Sequence, residues 1–388
     1  MNNHTESNWR NLIAACAAIT VFGFAFGTTY PLLSLLLEDR GISTNMIGIN
    51  AAMMPIGILL FSGVIPIISQ RYGSRIVAIL AALITAFLVL GYKIFDSLEA
   101  WFILRLLQGM SISTLFVLSE AWIVQFSSDQ HRGRIVAIYG SILAASFGAG
   151  PALIGWIGIH GWAPFIIGFI VVLAGVVPLF YIDESKSPAA EETAASSIMS
   201  FMPKAPTLLL AVVIFGIYDA AVLSLLPIYG LQSGLDLPTA ANALTALIVG
   251  NVIFQFPIGW LADKYPKRLI LGCCAGLTAV FMAMLPWVIG KPLMWPVLIL
   301  AGTFGYGIYS VSLAALGDRF RGQELVTGSS AFAVMWGIGA LVGSVGGGLS
   351  MQIFGLHGLP FFICVTYLIL LVFLLLRTWS LWANKKIA

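Results

Sequence analysis

Charge is what this sequence has least of. Lys, Arg, Asp and Glu make up 9% of its 388 residues, against about 25% in an average soluble domain. A water-soluble globule of this length needs more polar surface than that. Cysteine is as scarce. Cys16, Cys273, Cys274 and Cys364 all lie in apolar stretches, and no CxxC or Cys/His spacing marks a disulfide scaffold or a metal site. No G-x-S-x-G, H-E-x-x-H or P-loop is present, so the residues point to no enzyme chemistry, no cofactor and no metal. The net charge of +3 is too mild to suggest a nucleic-acid partner.

What the chain has in excess is apolar sequence: 60% of residues are hydrophobic and the mean hydropathy is +0.99. This composition excludes disorder, collagen and coiled coil and leaves a polytopic α-helical membrane protein. A membrane helix needs roughly 20 apolar residues. Twelve such segments are predicted, at 11–37, 45–69, 75–94, 100–126, 134–156, 162–182, 207–231, 239–262, 267–290, 293–315, 325–353 and 358–380. The run from Asn11 to Leu37 is too long for a signal-peptide core and is read as a retained first span. The connections are short except for a stretch rich in Ala, Ser and Glu. It divides the chain into an N-terminal six-helix bundle (1–182), a cytoplasmic linker (183–206) and a C-terminal six-helix bundle (207–388).

Basic residues orient the spans, because Lys and Arg favour cytoplasmic loops. With the N-terminus inside, only Arg40, Lys93 and Lys291 fall outside. Arg105 lies within a span, and the other fifteen of the 19 Lys and Arg fall inside. Both termini are therefore expected in the cytoplasm. The halves also repeat. At a constant offset of 193, Gly23 matches Gly216, Arg71 matches Lys264, Arg75 matches Arg268 and Gly109 matches Gly302. Arg132-Gly133 matches Arg321-Gly322 at 189, and Gly158-Ile-His160-Gly161 matches Gly355-Leu-His357-Gly358 at 197. Six plus six spans with repeated halves is the pattern of a transporter built from two pseudo-symmetric bundles.

Between spans 8 and 9 stands Gly259-Trp-Leu-Ala-Asp263-Lys264-Tyr-Pro-Lys267-Arg268. It resembles the signature loop of the major facilitator superfamily, roughly G-x-L-A-D-R/K-x-G-R-R/K. The matching loop between spans 2 and 3 is Pro66-Ile-Ile-Ser-Gln70-Arg71-Tyr-Gly73-Ser-Arg75, where Pro66 and Gln70 replace the family's Gly and Asp. The resemblance implies the major facilitator fold and a cytoplasmic gate of Gln70, Arg71, Arg75, Asp263, Lys264 and Arg268. There Asp263 caps a neighbouring helix and pairs with a base. The alternative is that these charges only enforce topology.

Two further stretches resemble motifs of the drug-proton antiporter branch. Arg105-Leu-Leu-Gln108-Gly109 in span 4 looks like R-x-x-q-G. Ser146-Phe-Gly148-Ala-Gly150-Pro151-Ala-Leu-Ile-Gly155 in span 5 is similar to the antiporter motif built around Gly-Pro. Small residues let helices approach closely and Pro bends the backbone. Span 1 departs from that branch. Between Asn11 and Leu37 it carries no acid, only Thr28, Thr29, Tyr30 and Ser34 among its central polar residues.

Charges at membrane depth are costly and mark function by default. Three qualify: Arg105 and Glu120 in span 4, and Asp219 in the middle of span 7. Arg105 and Glu120 lie about 22 Å apart along the axis and within about 60° in azimuth, with Gln108 and Ser111 between them on a face that would line a common cavity. Asp219 is the leading proton carrier, since a carboxylate changes its proton affinity as its surroundings change. A purely structural hydrogen bond is the alternative. Glu120 either couples or pairs with Arg132 or Arg134; Arg105 either anchors the periplasmic half of the cavity, steers proton release from a nearby acid or serves as a hydrogen-bond hub. Phe26, Tyr30, Trp122, Tyr139, Phe215, Tyr218, Phe254 and Trp336 are candidate lining residues, suited to a lipophilic cation. His160 and His357 occupy matching turns, where capping roles are expected.

An intramembrane aspartyl protease is disfavoured, because Pro151-Ala-Leu153 precedes both Asp219 and Asp318 and Asp318 lies in a basic loop. The expectation is a monomeric, multi-pass transporter of the bacterial inner membrane, working on a small molecule and protons within lipid. Efflux of an amphipathic or cationic compound comes first. Nutrient uptake by symport, lipid flipping and a non-transporting sensor on the same fold are the alternatives.

Overall fold

The computed structural model describes residues 9–127, 132–182, 199–321 and 323–387. Its long helices are α1 (Trp9–Asp39), α2 (Thr44–Ser62), α3 (Ile65–Tyr72), α4 (Ser74–Ile94), α5 (Leu98–Phe126), α6 (Arg132–Ile157) and α7 (Ala163–Ala174) in the first part of the chain. They are followed by α8 (Pro206–Gln232), α9 (Leu237–Lys264), α10 (Lys267–Val288), α11 (Met294–Arg319), α12 (Gln323–Phe354) and α13 (Gly358–Ile387). No strand occurs among the described residues. Twelve of these segments are long and apolar enough to cross a membrane, α7 counting together with the 3-10 turn Val177–Tyr181 that extends it.

The second span differs from the single helix predicted over 45–69. It breaks after Ser62, and α3 restarts at Ile65 with Pro66 in its first turn. Proline offers no N–H and crowds the residue before it, while Gly63 costs the helix about another 0.5–1 kcal/mol. The turn from α3 into α4 runs through Gly73 at φ +86°, a left-handed conformation that glycine adopts without a Cβ penalty.

By packing, the chain forms two compact units: residues 1–37 with 53–192, and residues 38–52 with 193–388. The helix α2 therefore passes from one unit to the other. Its first half packs on α12 in the second unit: Thr44 Oγ1 donates to the Gly348 carbonyl at 3.1 Å. An added Cβ on Gly48 would come within 2.2 Å of the Ser344 carbonyl oxygen.

Each unit has one central helix. In α1, 78% of the spanning window is buried by protein, and in α8, 89%; no other span exceeds 56%. A helix that is apolar all round can be buried on every side. Around them, neighbouring helices meet backbone to backbone at glycine. In the first unit Gly57 of α2 abuts the Leu106 carbonyl of α5, Gly109 of α5 abuts the Met54 carbonyl of α2, and Gly23 of α1 meets Leu143 and Ser146 of α6. In the second unit Gly250 abuts Ile299, Gly302 abuts Leu247, and Gly216 of α8 meets Trp336 and Gly339 of α12. All of these contacts are related by the 193-residue offset. The repeat noted in sequence is thus a repeat of interhelical contacts.

Candidate substrate and coupling site

Asp219 lies midway along α8, 5% exposed. Both carboxylate oxygens are held: Tyr306 of α11 donates its hydroxyl to Oδ1 at 2.9 Å, and Trp336 of α12 donates Nε1–H to Oδ2 at 3.1 Å. Both donors are neutral, and Asp219 forms no ion pair among the described residues. Aromatic rings surround the group. Tyr218 meets Tyr306 and Tyr367 edge-on at 5.5 and 5.6 Å, and Phe215 stacks on Tyr309 at 4.8 Å. Tyr218 fits because Gly305 has no side chain; a Cβ there would lie 2.5 Å from the Tyr218 ring. The Tyr218 hydroxyl donates to the Ala301 carbonyl and that of Tyr367 to the Gly305 carbonyl. These tyrosines are thus fixed by backbone acceptors, and Tyr306 is left to face the acid. The arrangement can hold a carboxyl group in place whether or not it carries a proton, since tyrosine oxygen both donates and accepts.

In the first unit, α5 (span 4) presents Arg105, Gln108 and Ser111 on one face. Arg105 and Gln108 have no exposed surface. The Arg105 guanidinium lies 5.4 Å from the centroid of the Tyr30 ring of α1, and Nη2 donates to the Tyr30 carbonyl at 3.4 Å. Tyr30 in turn stacks on Phe26 at 4.6 Å. Gln108 Oε1 accepts the Tyr92 hydroxyl at 2.7 Å, and Ser111 is paired with Thr85 and the Ala81 carbonyl of α4. The face is packed shut against α1 and α4, so Arg105 is sealed rather than open to a shared cavity. Glu120, toward the other end of α5, is exposed and has no hydrogen bond or ion pair among the described residues. The pairing weighed for it with Arg132 or Arg134 concerns side chains outside those described. Trp122 is fully buried with Nε1 unpartnered, and Tyr139 exchanges a hydrogen bond with Ser119 at 2.8 Å.

The profile of the Major Facilitator Superfamily matches residues 15–249 and 208–384. The chain belongs to the major facilitator superfamily. It is 28% identical over 361 residues to the uncharacterized MFS-type transporter YfkF of Bacillus subtilis (strain 168), covering 90% of each chain. It is 23% identical over 351 residues to the uncharacterized MFS-type transporter YcaD of Escherichia coli O7:K1, covering 89% of this chain and 90% of that one. Among solved structures, the nucleoside transporter NupG aligns with a TM-score of 0.76 at 12% identity, over 94% of this chain and 98% of the other. A D-xylose-proton symporter aligns with 0.75 at 16% identity, over 95% and 97%. These likenesses establish the fold: twelve membrane helices of the major facilitator type in a multi-pass membrane protein.

The superfamily's signature loops are exposed. Asp263 closes the last turn of α9 and, among the described residues, makes no hydrogen bond or ion pair. The cap and base expected for it are not engaged among the described residues; an ion pair nearby joins Lys267 to Asp318 at the end of α11. Lys264 instead lies 3.8 Å above the Trp260 ring, and Arg71 packs over Tyr72 at 5.3 Å. Gln70 and Arg268 are exposed and Arg75 is half-buried. In the Gly-Pro stretch, Gly150 and Pro151 are buried and Gly148 and Gly155 half-buried. Gly150 touches the backbone of Gly27 in α1, where an added Cβ would sit 2.3 Å from the Gly27 carbonyl carbon. His357 lies 3.2 Å from the Tyr229 hydroxyl, His160 is exposed, and Phe254 lies at the surface at 36% exposure.

Tyr306, Tyr367 and Tyr92 escaped the sequence reading. Tyr306 was detectable in one respect. It stands four residues after Gly302, a repeat glycine that fixes how α11 faces its neighbours.

Proposed function

We propose that this chain is a proton-coupled secondary transporter that exports a small amphipathic or cationic compound by alternating access, with Asp219 carrying the proton. The observation behind this reading is the setting of Asp219: buried at mid-span, held by two neutral donors, and without a basic partner among the described residues. A carboxyl group fixed in this way can accept a proton or a cationic substrate without losing its position. The surrounding rings suit a cation in the same place. The close approach of Gly150 to Gly27 supports export, because the resemblance ties that stretch to antiporters. Both termini are assigned to the cytoplasm on the distribution of basic residues, and the chain is taken as a monomer.

Uptake by symport is the second reading. The lack of an acid between Asn11 and Leu37 of α1 favours it, as do the names of the fold neighbours, a nucleoside transporter and a D-xylose-proton symporter.

Proteoliposomes separate the two. Accumulation of ethidium driven by an acid interior supports antiport. Accumulation of D-xylose or uridine driven by an acid exterior supports symport. Insensitivity of all three to either gradient rejects proton coupling. Asp219→Asn is expected to abolish gradient-driven accumulation, and intact accumulation in that variant removes Asp219 as the carrier.

A further inference from the structure

In the first unit, the buried donors outnumber the acceptors around Arg105. Its guanidinium has no exposed surface, yet Nε and Nη1 have no hydrogen-bond partner, and Nη2 has one long contact to a carbonyl. One helical turn on, Gln108 is equally buried. Its Oε1 is taken by Tyr92, and its amide Nε2 has no partner. Three donor atoms from residues i and i+3 on one face of α5 are therefore unmet.

Among the described residues, no acid pairs with Arg105. Across α1, the helix that Arg105 touches, there is no acid between Asn11 and Leu37. Glu99 is exposed and lies about 120° around α5 from Arg105, and Glu120 is exposed about 22 Å along the axis. A buried cation without a partner is among the most unfavourable arrangements a membrane interior can hold. The second unit shows that the fold does not require one here, since Leu298 occupies the position related to Arg105 by the repeat.

We propose that Arg105 and Gln108 form a recognition site for a carboxylate group of the transported compound. A carboxylate presents two acceptor oxygens in a plane, which an Arg105 fork, Nε with Nη2 or Nη1 with Nη2, matches in a bidentate pair once Nη2 leaves the Tyr30 carbonyl. Gln108 Nε2 adds a third donor. The Tyr30 ring on the other side of the guanidinium holds it in register. The site is closed in this structure, so the carboxylate enters as α1 and α5 separate, with the Tyr30 carbonyl as the contact it displaces. This inference rests on the transporter reading and narrows the substrate to an amphipathic molecule with an acidic group.

The test is ligand binding to the full chain in nanodiscs, followed by thermal shift and tryptophan fluorescence. The probes are benzoate, phenylacetate, indole-3-acetate and N-acetylphenylalanine, each beside its primary amide. The expected result is that at least one acid binds in preference to its amide. Arg105→Gln should weaken that acid about ten- to a hundredfold, from the loss of charge-assisted hydrogen bonds. Arg105→Lys should be intermediate, since it keeps the charge but not the planar fork. Gln108→Leu should weaken it less than Arg105→Gln. The proposal is overturned if no acid is preferred over its amide, or if the preference survives Arg105→Gln. It is likewise overturned if Arg105→Gln lowers the melting temperature of the free protein while leaving acid binding unchanged, which is the behaviour of a structural hub. Proton coupling is read by gradient-driven accumulation in Asp219→Asn, and carboxylate recognition by binding to Arg105→Gln. Failure of proton coupling and failure of carboxylate recognition are thereby read in separate variants.

Discussion

Gly302→Ala is the most direct probe of how the helices are held together. A Cβ at residue 302 would lie 1.8 Å from the Leu247 carbonyl oxygen and 2.7 Å from its carbon. Ordinary contact begins near 3.4 Å, so α9 and α11 must part by roughly 1.5 Å. The obstacle is main chain in the middle of a helix, and close-packed interiors do not absorb such a shift locally. Overpacking of this kind costs about 1–3 kcal/mol. Against it stands the helix preference for Ala over Gly, about 0.5–1 kcal/mol. The net expectation is a loss of about 1–2 kcal/mol, or several degrees of melting temperature for a unit of this size. Gly259→Ala is the control: the same helix α9, with nothing within 4 Å of the new atom, should be neutral or slightly stabilising. Thermal unfolding of the purified variants in one detergent measures both. If Gly302→Ala melts at or above the wild-type temperature while Gly259→Ala behaves as expected, backbone contact at glycine does not set the helix spacing and the reasoning fails.

Other consequences are simpler to state. Tyr306→Phe leaves one Asp219 oxygen without its donor and should cost about 1–3 kcal/mol. In an Asp219→Asn background the same change should cost about 1 kcal/mol or less, and equal costs in the two backgrounds would show that the hydroxyl does not serve the carboxylate. Gly305→Ala should displace the Tyr218 ring; chemical shifts of labelled tyrosine report it, and an unmoved Tyr218 signal would count against that packing. Asp263 has no partner among the described residues, so Asp263→Asn should leave the melting temperature within a degree of wild type, and a larger fall would reveal a contact absent from this state. The Lys267–Asp318 pair is exposed at its acidic end. Removing it should change stability by less than about 1 kcal/mol, and the effect should vanish in 0.5 M salt.

Much of the architecture was legible in sequence because the bilayer enforces it. A span must run about 20 apolar residues, and its ends are marked by charge, glycine or proline. Most predicted span ends fall within about four residues of the observed helix ends for that reason. The break after Ser62 was missed, although Gly63 and Pro66 stand where a helix tolerates neither comfortably. The partners of Asp219 were not legible. A membrane helix buried on most sides shows no amphipathic period, so one tyrosine in α11 looks like any other until packing selects it. The same limit hid Tyr92 beside Gln108, and it hid that Arg105 and Glu120, similar in azimuth, meet different surroundings. Arg105 is covered by α1 and α4, while Glu120 is left open.

The repeat separates scaffold from chemistry. At one offset, Gly57 with Leu106 becomes Gly250 with Ile299, Gly109 with Met54 becomes Gly302 with Leu247, and Gly23 with Leu143 becomes Gly216 with Trp336. The contacts that space the helices are kept in both halves. The charges within the membrane are kept in neither: Asp219 corresponds to Phe26, Arg105 to Leu298 and Glu120 to Leu313. Each half therefore builds its six spans with apolar residues at positions where the other half carries an ionisable one. Folding does not explain a group that its own repeat partner does without. The burial of Asp219 is offset in this structure by the side-chain donors of Tyr306 and Trp336, which stand where the first half carries Ser113 and Leu143, and not by the packing that the two halves share.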